Sequence, residues 1–157
     1  MLNRLFITIC LVVCILCSCT NNDIFLQYRD ISPEGWHCDS VLTFDVPVED
    51  CTWKYNVYIN IRNSASYANQ NLWLFLQINY PDNTTVRDTI DFYLADERGK
   101  WLGTGIGNLY TMPVLYLQEE KFPQTGNYRF EIRHAMRYNA LRGINNVGLR
   151  VEKTPLQ

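Results

Sequence analysis

The chain has 157 residues, of which 13% are aromatic and 19% are charged, and its formal net charge at pH 7 is −2. This composition is typical of a folded globular protein and excludes a largely disordered one. The slightly acidic balance suggests no nucleic-acid partner, and the length suits a single domain that follows a targeting segment.

The N-terminus has the pattern of a secretory signal. Arg4 provides a basic start, and an apolar stretch too short for a comfortable membrane span follows it. Residues 16–19 read Leu-Cys-Ser-Cys, which is the pattern of a bacterial lipoprotein signal. We therefore predict that residues 1–18 are a lipoprotein signal peptide, removed before Cys19, whose thiol is diacylated. The alternative is an ordinary signal peptide that is rich in cysteine.

Cleavage would leave two further parts, a lipidated cysteine with its tether (residues 19–35) and a folded domain (residues 36–157). The tether begins with small polar residues. Its residues 24–28 fit either a short strand lying against the domain or an extended linker.

Two cysteines, Cys38 and Cys51, remain in the exported domain and form a candidate disulfide. Their bridge would close a loop of about 14 residues and stabilise the fold by roughly 3 kcal/mol. A plain hairpin of residues 41–46 and 53–62 would instead hold the two thiols too far apart to join.

Apolar and polar side chains alternate with period two along most of the domain, which indicates half-buried strands. The predicted strands are 41–46, 53–62, 72–79, 85–94, 114–117, 127–134 and 147–151. Strand 72–79 starts with apolar residues on both faces, so we expect a central strand that is covered on both sides. No long stretch repeats with the period of a helix.

Seven or eight short strands predict an all-β domain, an antiparallel β-sandwich in the immunoglobulin-like or jelly-roll style. The inward-facing positions of these strands should form one core. The expected core residues are Leu42, Phe44, Tyr55, Val57, Ile59, Leu74, Leu76, Ile90, Phe92, Tyr128, Phe130, Ile132, Val147 and Leu149.

Long motifs spread over nearly the whole domain resemble the gliding-motility lipoprotein GldH family. They are YNVYINIRN at 55–63, NLWLFL at 71–76, LADERGKWLGTGIG at 94–107, FPQTGNYRF at 122–130, HAMR at 134–137 and VGLRVEK at 147–153. Two features depart from the expected pattern: the cysteines at 38 and 51, and Asn146 in place of an acidic residue.

The resemblance implies a lipid-anchored envelope protein that is needed for gliding and is associated with the motility and protein-secretion apparatus. It implies no known enzyme activity. It also favours anchoring in the outer membrane, facing the periplasm, with other envelope or motility proteins as partners.

The residues themselves also predict a protein that is not an enzyme. His37 and His134 are the only histidines, and no nucleophile elbow, zinc-protease motif or calcium loop is present. We expect no cofactor, no metal and no small-molecule ligand. A cation site is conceivable only where four acidic residues lie close in sequence, namely Asp88, Asp91, Asp96 and Glu97. The glycines at 103, 105 and 107 lack phosphate-loop spacing and indicate turns with positive φ.

Two short sites, Asp39-Ser40-Val41 and Asp88-Thr89-Ile90, resemble the Asp-Ser/Thr-apolar sites of O-glycosylation described in this group of bacteria. Ser40 and Thr89 are therefore candidate modification sites.

The main functional prediction is a protein-binding envelope component, and the alternative is a carbohydrate-binding β-sandwich that stacks sugars on surface aromatic residues. The positions of the tryptophans should discriminate between them. Trp53 and Trp73 fall on strands expected to be buried, which leaves Trp36 and Trp101 as candidates for exposure.

Because successive strands reverse direction, connections 63–71, 95–112 and 135–145 should share one end of the sandwich. This end gathers aromatic and Arg side chains typical of binding hot spots, which makes it the candidate partner surface: Tyr67, Trp101, Tyr110, Arg137, Tyr138 and Arg142. The opposite end is more acidic. The tether would leave from it if residues 24–29 form a strand. The alternative role for Trp101 is to plug the end of the core.

Overall fold

The computed structural model describes residues 22–154, and this part of the chain contains strands and no helix. Eleven strands occur in the order β1 (Asp23–Asp30), β2 (Trp36–His37), β3 (Leu42–Val48), β4 (Tyr55–Ser64), β5 (Asn71–Asn79), β6 (Thr85–Tyr93), β7 (Thr104–Ile106), β8 (Leu109–Glu120), β9 (Gly126–His134), β10 (Ala140–Leu141) and β11 (Ile144–Lys153). The all-β prediction is confirmed.

Two antiparallel sheets form the layers of a sandwich. One has five strands in the order β1-β11-β4-β8-β7, and the other has four strands in the order β3-β9-β5-β6. Strands β2 and β10 pair separately as a short ribbon. The predicted antiparallel sandwich is therefore confirmed, and the ribbon and β7 are additions that the sequence pattern did not indicate.

The core lies between the two sheets because each strand sends alternate side chains inward. On β4 these are Tyr55, Val57, Ile59 and Ile61, all of them fully buried. Twelve of the expected core residues are buried, and the exceptions are Ile90 and Phe92, which are only partly buried. Both exceptions belong to β6, an edge strand that has a neighbour on one side only.

Strand β1 settles the two alternatives for residues 24–28 in favour of a strand. It pairs with β11 from Asp23 to Asp30, so the folded sandwich begins at Asp23 rather than at residue 36. Arg29 of β1 contacts β3 in the other sheet. Its Nε donates a hydrogen bond to the carbonyl of Thr43 (3.2 Å), and its guanidinium lies 5.1 Å from the Phe44 ring centroid.

The prediction that the strand at 72–79 is covered on both faces is wrong. Strand β5 does lie between β9 and β6, and its Leu72 and Leu74 are fully buried. Trp73 and Phe75, however, are 41% and 45% exposed. The structure is a two-layer sandwich, so the outer face of β5 has no third layer to cover it.

The connection predicted at residues 95–112 contains a β-hairpin, because β7 pairs with the start of β8. Only Gly107 has the expected positive φ (67°). Gly103 and Gly105 serve a different purpose, since a Cβ at these positions would lie 2.8 Å and 2.1 Å from carbonyl oxygens of β8. Close backbone approach, rather than turn geometry, therefore requires glycine at both.

Candidate functional site

The direction of β1 distinguishes the two ends of the sandwich. Asp23 pairs with Glu152, beside the end of β4 that starts at Tyr55. The chain that precedes β1 therefore joins the end that carries connections 49–54, 80–84 and 121–125, which we call the proximal end. The distal end carries connections 65–70, 94–103 and 135–143.

The predicted grouping of connections at the distal end is confirmed by their contacts. The backbone N–H groups of Leu94 and Ala95 both donate to the carbonyl of Gln70, at 2.8 and 3.2 Å. Gly143 packs so closely on Tyr67 that a Cβ there would lie 2.5 Å from the Cα of Tyr67.

Three aromatic residues of the predicted partner surface form a packed cluster at this end. Tyr67 is only 4% exposed, and its hydroxyl donates to the carbonyl of Asn71 at 2.8 Å. Trp101 lies between the rings of Tyr67 (6.4 Å) and Tyr110 (5.8 Å), as measured between ring centroids. Burial raises the pKa of Tyr67, in keeping with a structural role. The structure therefore removes Tyr67 from the candidate surface. It favours the plug role for Trp101, because this partly buried ring packs against the core.

The other three predicted surface residues, Arg137, Tyr138 and Arg142, are exposed. The Tyr138 hydroxyl donates to the side-chain oxygen of Asn69 at 3.2 Å, which links connection 135–143 to connection 65–70. Arg137 and Tyr138 border a cleft of about 650 Å³ together with Asn69, Asn71, Trp73 and Met136.

The exposure of two tryptophans is the reverse of the expected one. Trp36 is 1% exposed, and its Nε1 donates to the carbonyl of Ser40 at 3.0 Å. Trp73 is exposed beside Tyr138 and was missed as a candidate surface residue. The sequence did contain a usable signal, because a two-layer sandwich leaves one face of every strand uncovered.

His134 is a buried imidazole at the distal end of β9. It is 3% exposed, lies 5.5 Å from the Trp36 ring in an edge-on arrangement, and has no hydrogen-bond partner for either ring nitrogen among the described residues. Burial lowers the pKa of His134, and the nearby backbone groups of Trp36 and Met136 partly offset this effect. The folded protein therefore favours the neutral ring.

We expect this histidine to make stability depend on pH. An unfolded His titrates near pH 6.5, so the unfolded chain takes up a proton below about that pH while the folded protein resists protonation. The stabilisation that comes from the neutral His134 ring is complete above about pH 6.5 and is lost as the pH falls through the lowered folded-state pKa of this histidine. Thermal unfolding at about pH 7.5 and 5.5 should show a lower Tm at acid pH, and His134→Phe should reduce the difference. His37→Gln is the matched control, because His37 is exposed; an unchanged difference in His134→Phe would contradict the assignment.

The two domain cysteines are free thiols in the structure, so the candidate disulfide is not formed. Cys38 follows β2 at the distal end, and Cys51 lies in the proximal connection 49–54. Strand β3 runs between them and separates them by roughly 20 Å, far beyond the reach of a disulfide.

One group of potential metal ligands occurs within the described part of the chain. His37, Cys38 and Asp39 place their ligand atoms within 4.8 Å of one another. They are consecutive surface residues, and the Nδ1 of His37 already accepts the N–H of Asp39 at 3.3 Å. The four acidic residues considered for a cation site form no such group, and the Oδ1 of Asp96 instead accepts two backbone N–H groups of its own turn at 2.9 Å.

The remaining candidate positions stay predictions. Ser40 and Thr89 are exposed, as modification would require. Cys19 lies outside the described residues. Residues 22–154 contain no helix that is long and apolar enough to cross a membrane.

Comparison with known proteins relates this sandwich to one family. The model of the GldH lipoprotein family matches residues 23–151. Gliding motility lipoprotein GldH of Flavobacterium johnsoniae is 35% identical over 150 residues, which cover 91% of this chain and 92% of that protein. A protein of Christiangramia forsetii named gliding motility lipoprotein GldH homolog is 34% identical over 144 residues, which cover 87% of this chain and 88% of that protein.

Proposed function

We propose, because this chain belongs to the GldH lipoprotein family, that it is a non-catalytic, protein-binding component of the gliding-motility and associated secretion apparatus. Lipid on Cys19 would anchor it in the outer membrane, where it would face the periplasm. The names of the two relatives support the gliding role, and the signal sequence supports the anchor.

The observation that carries the protein-binding role is the position of the exposed distal side chains. Only residues 20–22 separate Cys19 from β1, so the tether can span at most about 14 Å. Strand β4 has ten residues and extends for roughly 33 Å. Arg137, Tyr138 and Arg142 therefore lie at the end of the domain remote from its anchor, where partners in the periplasm can reach them.

We test this role by affinity capture after crosslinking in native membranes. Replacing Arg137 and Arg142 together by Glu should abolish capture of the partner, because the change reverses two exposed charges in a surface rich in hot-spot residue types. The Tm should stay nearly unchanged, since both side chains are exposed and form no ion pair within residues 22–154. Full capture by the double variant would remove this surface from consideration.

One observation favours the carbohydrate-binding alternative. Trp73 and Phe75 are exposed at alternate positions of one strand, as in an aromatic platform for sugars. Retention of the protein on an immobilised envelope polysaccharide, with loss of retention in Trp73→Ala, would support that alternative. Loss of protein capture in the Arg137/Arg142 double variant would support the protein-binding role.

A further inference from the structure

The outer face of the four-stranded sheet has two chemically different halves. In the proximal half the polar side chains bind one another. The Glu131 carboxylate accepts from the amides of Asn79 (3.0 Å) and Gln77 (3.3 Å), and Arg87 Nε donates to the Oε1 of Gln77 (2.8 Å). Arg129 pairs with Asp45 at 2.7 Å. These polar groups are already paired with one another, so they have little capacity left to bind a ligand.

The distal half of the face is apolar and open. Five exposed large hydrophobic side chains lie on it or at its rim: Val41, Trp73, Phe75, Tyr93 and Tyr138. Contiguous exposed apolar surface is uncommon on soluble domains and marks interaction sites. The strand register places Arg133 directly opposite Phe75 and Asp91 directly opposite Trp73.

Two clefts lie beside the exposed rings of Trp73 and Phe75. The cleft of about 650 Å³ borders Trp73, and a second cleft of about 720 Å³ borders Phe75 and includes Val41, Thr89 and Arg133. Side chains two apart on a strand are separated by about 7 Å. The two clefts therefore lie next to one another along β5 and are considered together as one candidate binding surface. We call it the aromatic groove and define it by Trp73, Phe75, Arg133, Arg137 and Tyr138.

The charges in the groove are not balanced by its own residues. Neither Arg133 nor Arg137 forms an ion pair with any other residue of the described chain. Of the nearby carboxylates, those of Glu131, Asp45 and Asp88, the last of which also lines the second cleft, already accept hydrogen bonds, which leaves Asp91. The groove thus presents two free guanidinium groups beside two exposed rings.

We propose that the aromatic groove binds an extended, acidic segment of a partner polypeptide, with an apolar side chain of that segment over Trp73 and Phe75 and its carboxylates on Arg133 and Arg137. This inference rests on the proposed protein-binding function and names the chemistry of the partner. Planar guanidinium groups match carboxylates bidentately, and Trp, Tyr and Arg dominate binding hot spots. A neutral sugar would leave both arginines without an anion, and the aliphatic side chains of Val41 and Met136 suit an apolar residue better than a hydroxylated ring.

The test is photocrosslinking in the cells that produce the full-length protein, with benzoylphenylalanine in place of Phe75. The crosslinked partner peptide is then sequenced by mass spectrometry. We expect one recurring segment that contains Asp or Glu on both sides of an apolar residue. Arg133→Glu should lower the crosslinking yield at least about ten-fold, because it removes one charge pair and adds a repulsive one. Arg133→Lys should lower the yield less than Arg133→Glu, because Lys keeps the positive charge but loses the bidentate geometry of the guanidinium group.

The matched control carries the crosslinker in place of Leu115, an equally exposed apolar residue on the other sheet (43% exposed, against 45% for Phe75). A crosslink to basic or neutral segments, a pattern shared with position 115, or no protein crosslink at position 75 would overturn the proposal. So would a crosslink to glycan alone. Capture could be lost in the Arg137/Arg142 double variant while the expected crosslink to an acidic segment at position 75 is not found. In that case the proposed protein-binding function stands, and the proposal for the aromatic groove is wrong.

Discussion

Replacing Phe130 by Ala is expected to destabilise the protein by about 3 to 5 kcal/mol. Phe130 is 3% exposed on β9, directly opposite Phe44 of β3 on one side and Ile78 of β5 on the other. Truncation removes the buried ring and leaves a cavity that two paired strands cannot close. Such a loss is a large share of the 5 to 15 kcal/mol that typically stabilise a domain.

Urea unfolding followed by circular dichroism measures this loss. The matched control is Phe75→Ala, which makes the same chemical change on the neighbouring strand but on the exposed outer face. We expect the control to shift the free energy of unfolding by about 0.5 kcal/mol or less, as surface substitutions usually do. A small loss in Phe130→Ala would contradict the core assignment. A large loss in Phe75→Ala would mean that the outer face of this sheet is covered in solution, which contradicts an open aromatic groove.

The sequence predicted the strands best where one face is clearly apolar and the other clearly polar. In β4, Val57, Ile59 and Ile61 alternate with polar residues, and all three are fully buried. The same alternation located Tyr128, Phe130 and Ile132 on β9. Period two assigns a face only when the two faces differ in polarity, so it works for such strands without any knowledge of their neighbours.

The errors arose where burial depends on partners that are distant in sequence. Both faces of β5 begin with apolar residues, so its periodicity alone could not show that Trp73 faces solvent, although the predicted two-layer sandwich implies that one face of the strand is uncovered. Ile90 and Phe92 alternate correctly, but they are only half-buried because β6 lies at an edge. Trp36 is buried because its two-residue strand pairs with β10, more than a hundred positions away. Strand order and ribbon pairing are tertiary properties that no local pattern encodes.

The candidate site was predictable in its location but not in its composition. Counting strand reversals placed three connections at one end, and the contacts at Gln70 and Tyr67 confirm that grouping. Which aromatic residues point outward could not be counted in this way. Tyr67 turns inward to reach the carbonyl of Asn71, whereas Trp73, on a strand rather than a loop, lies exposed next to Tyr138.

Replacing Cys19 by Ser is expected to abolish lipid attachment and release the protein from the membrane fraction. A diacylated cysteine supplies two acyl chains, and stable membrane anchoring needs about two such signals. The variant should therefore stay uncleaved or become soluble, and it should no longer partition into detergent.

The measurements are detergent-phase partitioning and labelling with radioactive palmitate. Cys17→Ser is the matched control, because Cys17 lies in the predicted signal peptide two residues before the lipidation site. This control should keep both the label and the membrane fraction. Continued labelling of Cys19→Ser, or equal loss of label in the two variants, would contradict the assignment of Cys19. If Cys19→Ser is released from the membrane but still binds its partner in solution, the lipid serves only to place the distal end in the envelope. If the variant loses both membrane attachment and partner binding, anchoring is needed for assembly itself.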